Sequence, residues 1–187
     1  MGTGKFNTGA SMKKKICAMV VSSLGLAAMP VYALDGGYLL LGRGDQTDIA
    51  RVGLLWNWQK TWRVTDDWHL GGNWDVSLGY WQKRGAANDN QRIVDIGVTP
   101  VFRLQRNAVA GFAPYLEGAI GFHLLSHTYP GKLGSRFEFG DHVGMGANFG
   151  PKQEYDFAYL FQHLSNGGIK QPNHGINFNQ IRFGYHF

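Results

Sequence analysis

The C-terminal segment constrains the fold most. Phe187, Tyr185, Phe183 and Ile181 fall on one face of an extended chain, and His186, Gly184, Arg182 and Gln180 on the other. A period of two is a strand. Aromatics on one side with Arg, Gln and Gly on the other fit a barrel with lipid outside and a polar interior. The same alternation recurs in Phe137, Phe139, Val143, Met145 and Phe149 against Glu138, Gly140, His142, Gly144 and Asn148.

Eight such segments are predicted, bounded by turn residues. They are Gly37–Arg43, Asp48–Trp58, Trp68–Gln82, Arg92–Arg106, Ala113–Ser126, Arg136–Phe149, Tyr155–Ser165 and Gly175–Phe187. Several exceed ten residues, long for an ordinary strand and suited to a tilted membrane-crossing one. The expected fold is all-β, an eight-stranded antiparallel transmembrane β-barrel. A soluble eight-stranded barrel is the structural rival. An even strand count puts both termini on the periplasmic side. Lys83–Gln91 and His127–Ser135 then read as outer loops, and Asn107–Phe112 and Gly150–Glu154 as periplasmic turns. The Gln59–Asp67 connection is too long for that pattern. Trp56, Trp58, Trp68, Trp81 and Tyr155 lie near strand ends, where they would form interfacial girdles.

Composition narrows the alternatives. The chain has 187 residues, 17% charged and 14% aromatic, which excludes a disordered chain and suits one domain. Outside the N-terminus no apolar run is long enough for a membrane helix. Lys13, Lys14 and Lys15, the apolar run Ile16–Met29 and Val31-Tyr32-Ala33 read as a secretory signal. Residues 1–33 are therefore expected to be an extension plus leader, and 34–187 the barrel. Met12 is an alternative start. Four lysines and no acids lie in 1–33, so the remainder holds 14 basic and 13 acidic residues. That balance gives no support for a nucleic-acid partner. The one cysteine, Cys17, sits inside the leader and away from its cleavage point, against a lipoprotein anchor and a disulfide framework.

The chemistry concentrates in the last hairpin. Tyr155, Phe157, Tyr159, Phe161, His163 and Ser165 share one parity. The aromatic side should be the lipid side, so His163 and Ser165 point outward near the outer end. An ionisable group there is a functional candidate. The bland alternative is a pair at headgroup level, where water reaches it. His-x-Ser alone is a weak motif. His69, His123, His127, His142, His174 and His186 lack metal-ligand spacing, so no metal and no cofactor is expected. Asp45 and Asp48 allow at most an incidental divalent-ion contact. Basic residues near the outer rim are candidates for holding phosphates.

His163-Leu164-Ser165-Asn166-Gly167, the run Lys170-Gln171-Pro172-Asn173 and the aromatic terminal strand resemble the lipid A 3-O-deacylases of the PagL family. The resemblance covers nearly the whole mature chain. It implies an outer-membrane serine esterase that removes the ester-linked acyl chain at position 3 of lipid A in lipopolysaccharide. It also implies Ser165 as nucleophile, His163 as general base, Asn166 as an oxyanion donor and Asn173 as a supporting polar residue.

The family's third member, a Glu, is replaced here by Asn177. Asn can hold an imidazole tautomer but brings no full charge. Closing the last hairpin with Asn166 opposite His174 brings Asn177 near His163. Folding the preceding hairpin with Phe149 opposite Tyr155 sets Asp141 opposite His163, on the outward face. Asp141 or Asn177 is thus expected to orient His163. The competing functional reading is a non-catalytic barrel with an adhesive or structural role.

Overall fold

The computed structural model describes residues 34–84 and 92–187. The leader and most of the Lys83–Gln91 loop lie outside the described residues.

Nine strands follow one another in the described residues: β1 Gly36–Gly44, β2 Thr47–Asn57, β3 Trp62–Arg63, β4 Trp68–Lys83, β5 Arg92–Arg106, β6 Phe112–Leu125, β7 Phe137–Phe149, β8 Tyr155–Ser165 and β9 Ile176–His186. Apart from the two-residue β3, their bounds lie within one residue of those expected from the alternation. Eight of them pair antiparallel with their chain neighbours. β1 pairs with β9, and β2 with β4, so the sheet closes on itself. Closure removes every free edge, which is what a sheet in lipid requires.

β3 explains the connection that is too long. Trp62 and Arg63 fold back on Leu70 and His69 of β4, adding a short flap below the barrel. One turn at the other end is tight. β1 passes to β2 through Asp45 and Gln46 alone, both at positive φ.

Side chains sort by parity. Leu39, Leu41, Val143, Met145, Phe157, Phe183 and Tyr185 stand exposed on the outer wall. In water such a patch would be an aggregation surface; against acyl chains it is the solvated face. The lumen is filled. Near its middle, Arg182 donates to Glu117 at 2.7 and 2.9 Å and to Asp156 at 3.0 Å. Arg103 donates to Glu117 at 2.9 Å, and Tyr115 to Asp156 at 2.5 Å. Toward the outer end, Asp95 accepts from Arg51 at 3.2 Å and from the Trp81 indole at 2.8 Å, and meets His123 Nδ1 at 2.8 Å.

Trp81 therefore corrects the expected girdle. It has odd parity on β4 and is fully buried in the lumen, packed on Phe178. Its indole N–H has a carboxylate to bond, which lets so large a ring sit inside. Above it, Ile49, Ile93, Leu125, Tyr129, Leu133, Leu164, Ile176 and Phe178 form an apolar plug at the outer mouth. Tyr129 and Leu133 come from the β6–β7 loop, so that loop folds inward rather than standing free. Leu164 and Ile176 are chain neighbours of His163 and Asn177, so the plug anchors the backbone on which the candidate site stands.

Candidate active site

β8 and β9 pair with His163 opposite Asn177, and β7 and β8 with Asp141 opposite His163 and Phe139 opposite Ser165. One outward patch thus holds Asp141, His163, Ser165 and Asn177. His163 and Ser165 are half-buried, while Asp141 and Asn177 are exposed. His163 Nδ1 lies 2.6 Å from Asn177 Oδ1. An amide oxygen accepts only, so Nδ1 carries the proton and Nε2 keeps a lone pair. That is the tautomer a general base needs.

Gly175 shapes the same pocket. Its φ is +70°, and a Cβ there would stand 2.4 Å from His163 Cε1 and 3.0 Å from Nε2. Only glycine satisfies both the backbone and the ring packed over it. Among the described residues, no hydrogen bond joins Ser165 to His163. Residues two apart on a strand face the same way but start about 6.6 Å apart. Such contacts often close only when substrate is bound.

The loop 166–175 is built around Asn166. Its Oδ1 accepts from Gly168 N at 3.1 Å and Lys170 N at 3.3 Å, and its Nδ2 donates to Lys170 O at 2.8 Å. Its own N–H donates to Asn173 Oδ1 at 2.9 Å. Asn166 is fully buried, with both its side-chain amide and its backbone N–H committed to the loop. The Asn166 amide carries two N–H groups, of which Lys170 O takes one, so Asn166 stays a candidate oxyanion donor. The Gly167 N–H has no protein acceptor among the described residues. Gly167, at φ +63°, lies against the Phe139 ring beside Ser165. Asn173 braces the loop through that bond to Asn166.

Phe122, Phe137 and Phe139 form an aromatic surface next to Ser165, with ring centroids 5.2–6.0 Å apart. It faces outward on β6 and β7, where an acyl chain would lie.

The chain matches the family model for lipid A 3-O-deacylase (PagL) over residues 49–186. It belongs to the lipid A 3-O-deacylase (PagL) family. All four residues of the outward patch fall inside that match. Over 170 residues the chain is 32% identical to the lipid A deacylase PagL of Pseudomonas aeruginosa, covering 88% of this chain and 94% of that protein. Over 184 residues it is 29% identical to the lipid A deacylase PagL of Bordetella bronchiseptica, covering 93% and 96%. The crystal structure of the outer membrane enzyme PagL superposes with a TM-score of 0.70 at 29% identity, covering 80% of this chain and 98% of that one. The resemblance read from the last hairpin is borne out, and with it the outer-membrane barrel over its soluble rival.

Sequence reasoning missed two residues at the site. Asp45 accepts from Asn177 N at 3.2 Å, and Lys132 pairs with Asp45 at 3.6 Å. Asp48 accepts from Arg43 at 2.8 Å and Arg84 at 2.6 Å. Both aspartates thus bond to protein groups.

Proposed function

We propose that this chain is an outer-membrane lipid A deacylase, hydrolysing the ester at position 3 of lipid A through Ser165. The observation that carries the reading is the His163–Asn177 contact on the outward face, with Ser165 on the same face of a PagL-family barrel. The substrate ester lies in the outer leaflet, so a site on the outer wall meets it without lifting it from the membrane.

Asn177 holds Nδ1–H, leaving His163 Nε2 to take the Ser165 hydroxyl proton as Oγ attacks the ester carbonyl. The developing oxyanion needs fixed donors, and the Gly167 backbone N–H and the second N–H of the Asn166 amide are the candidates next to Ser165. His163 then returns the proton to the leaving sugar oxygen, and water repeats the cycle on the acyl-enzyme. Asp141 stands directly across from His163. Cross-strand neighbours have Cβ atoms about 4.5–5.5 Å apart, so its carboxylate belongs to the same outward patch. Asn177 is thus the orienting group, and Asp141 supplies the charge that Asn177 lacks. The phenylalanine surface on β6 and β7 receives the acyl chain.

An alkyl fluorophosphonate, which traps activated serines, tests the mechanism. Intact mass of the folded barrel should rise by one phosphonyl adduct, located on Ser165 and lost in Ser165→Ala. A folded barrel that takes no label, or keeps it after Ser165→Ala, contradicts a serine esterase.

A further inference from the structure

The β1–β9 ladder runs from Gly36 opposite His186 to Arg43 opposite Asn179 and stops there. Asn177 lies two residues beyond that last pair, so no strand carbonyl of β1 receives its N–H. A strand end without its bonds frays. The acceptor is a side chain instead. Asp45 Oδ2 takes the Asn177 N–H at 3.2 Å.

The turn is fitted closely to that task. A Cβ on Gly44 would stand 1.6 Å from Asn177 O and 2.9 Å from Phe178 Cα, so only glycine lets the turn reach β9. Asp45 and Gln46 have φ of 42° and 63°. Two-residue turns with both φ positive favour Asn-Gly or Asp-Gly, and this one carries Gln at the second place. The same carboxylate oxygen pairs with Lys132 Nζ at 3.6 Å. Lys132 O in turn accepts His174 N at 3.0 Å, and Leu133 bridges to Asn173, the brace of the Asn166 loop. One side chain therefore joins the β1–β2 turn and the β6–β7 loop to the start of β9, at the residue that holds His163.

We propose that Asp45 is a positioning residue: it fixes the backbone of Asn177, and through it the amide that orients His163. This rests on the roles given above to His163, Ser165 and Asn177. Asp45 touches neither substrate nor the reacting atoms. Its effect belongs in kcat, because a loosened Asn177 leaves His163 misaligned more of the time.

The experiment is a double-mutant cycle on the full barrel in detergent with lipopolysaccharide as substrate. Asp45→Gly is the informative change, since glycine accepts φ near +42° and removes only the carboxylate. It should lower kcat about tenfold with KM within about twofold. Asp45→Asn, which still offers an oxygen acceptor and tolerates the same φ, should recover most of that loss. Asn177→Ala alone should cost about 100-fold, and adding Asp45→Gly to it should cost less than about twofold more. A full tenfold loss persisting in the Asn177→Ala background overturns the proposal. So does a rise in KM with kcat unchanged, or failure of Asp45→Asn to rescue. Should Asp45→Gly not fold, Asp45→Ser carries the same cycle. If Ser165→Ala remains as active as the parent, the underlying mechanism fails instead.

Discussion

Replacing His163 by Ala is expected to cut kcat about 1000-fold while the barrel stays folded. A positioned base is worth about 10²–10⁴-fold, and His163 is the imidazole that shares Ser165's face of β8. The ring lies on the outer wall and contributes little to the lumen, so stability should not move. Asp141→Asn in the same assay should cost only a few-fold, because it acts across a strand and partly through water. Released hydroxy acid, quantified against time with lipopolysaccharide micelles, reads both. A His163→Ala protein within about tenfold of the parent would remove His163 as the base. An Asp141→Asn loss as large as that of His163→Ala would make Asp141, rather than Asn177, the main partner.

Replacing Glu117 by Ala is expected to give the largest stability loss. Two guanidiniums, Arg103 and Arg182, share two carboxylates, Glu117 and Asp156, in the lumen. All four are buried. Removing Glu117 leaves two buried cations against one anion. Breaking a buried pair on one side costs about 3–5 kcal/mol. Removing both signs, as in Glu117→Leu with Arg103→Leu, should cost less, since no charge is stranded. The urea midpoint of refolding in micelles checks this, with heat-modifiable gel mobility as the folding signal. A single variant within about 1 kcal/mol of the parent would mean that water reaches the cluster.

The barrel was legible because its evidence is local. Parity, turn residues and strand length each sit within a dozen residues, and antiparallel register follows from where a hairpin closes. Closing the β7–β8 hairpin at Phe149 and Tyr155 was enough to set Asp141 opposite His163, and the structure has that pair. Trp81 was misplaced by a rule about strand ends, although its own parity on β4, opposite to Trp68, Trp74 and Tyr80, pointed inward. The loop was harder. Asn166 carries a residue type suited to an oxyanion hole, and only the fold shows that one amide N–H goes to Lys170 and the backbone N–H to Asn173. Asp45 was out of reach, because it meets Asn177 across 132 residues through barrel closure. No local pattern announces a contact between the first turn and the last strand.

Mass spectrometry of lipid A from a host whose own lipid A keeps its 3-position chain tests the central claim most directly. Cells expressing the parent barrel should show loss of one ester-linked hydroxyacyl mass, and cells expressing folded Ser165→Ala should show none. Unchanged lipid A beside a folded, surface-inserted parent barrel would contradict deacylation. The same loss with Ser165→Ala would contradict Ser165 as the nucleophile.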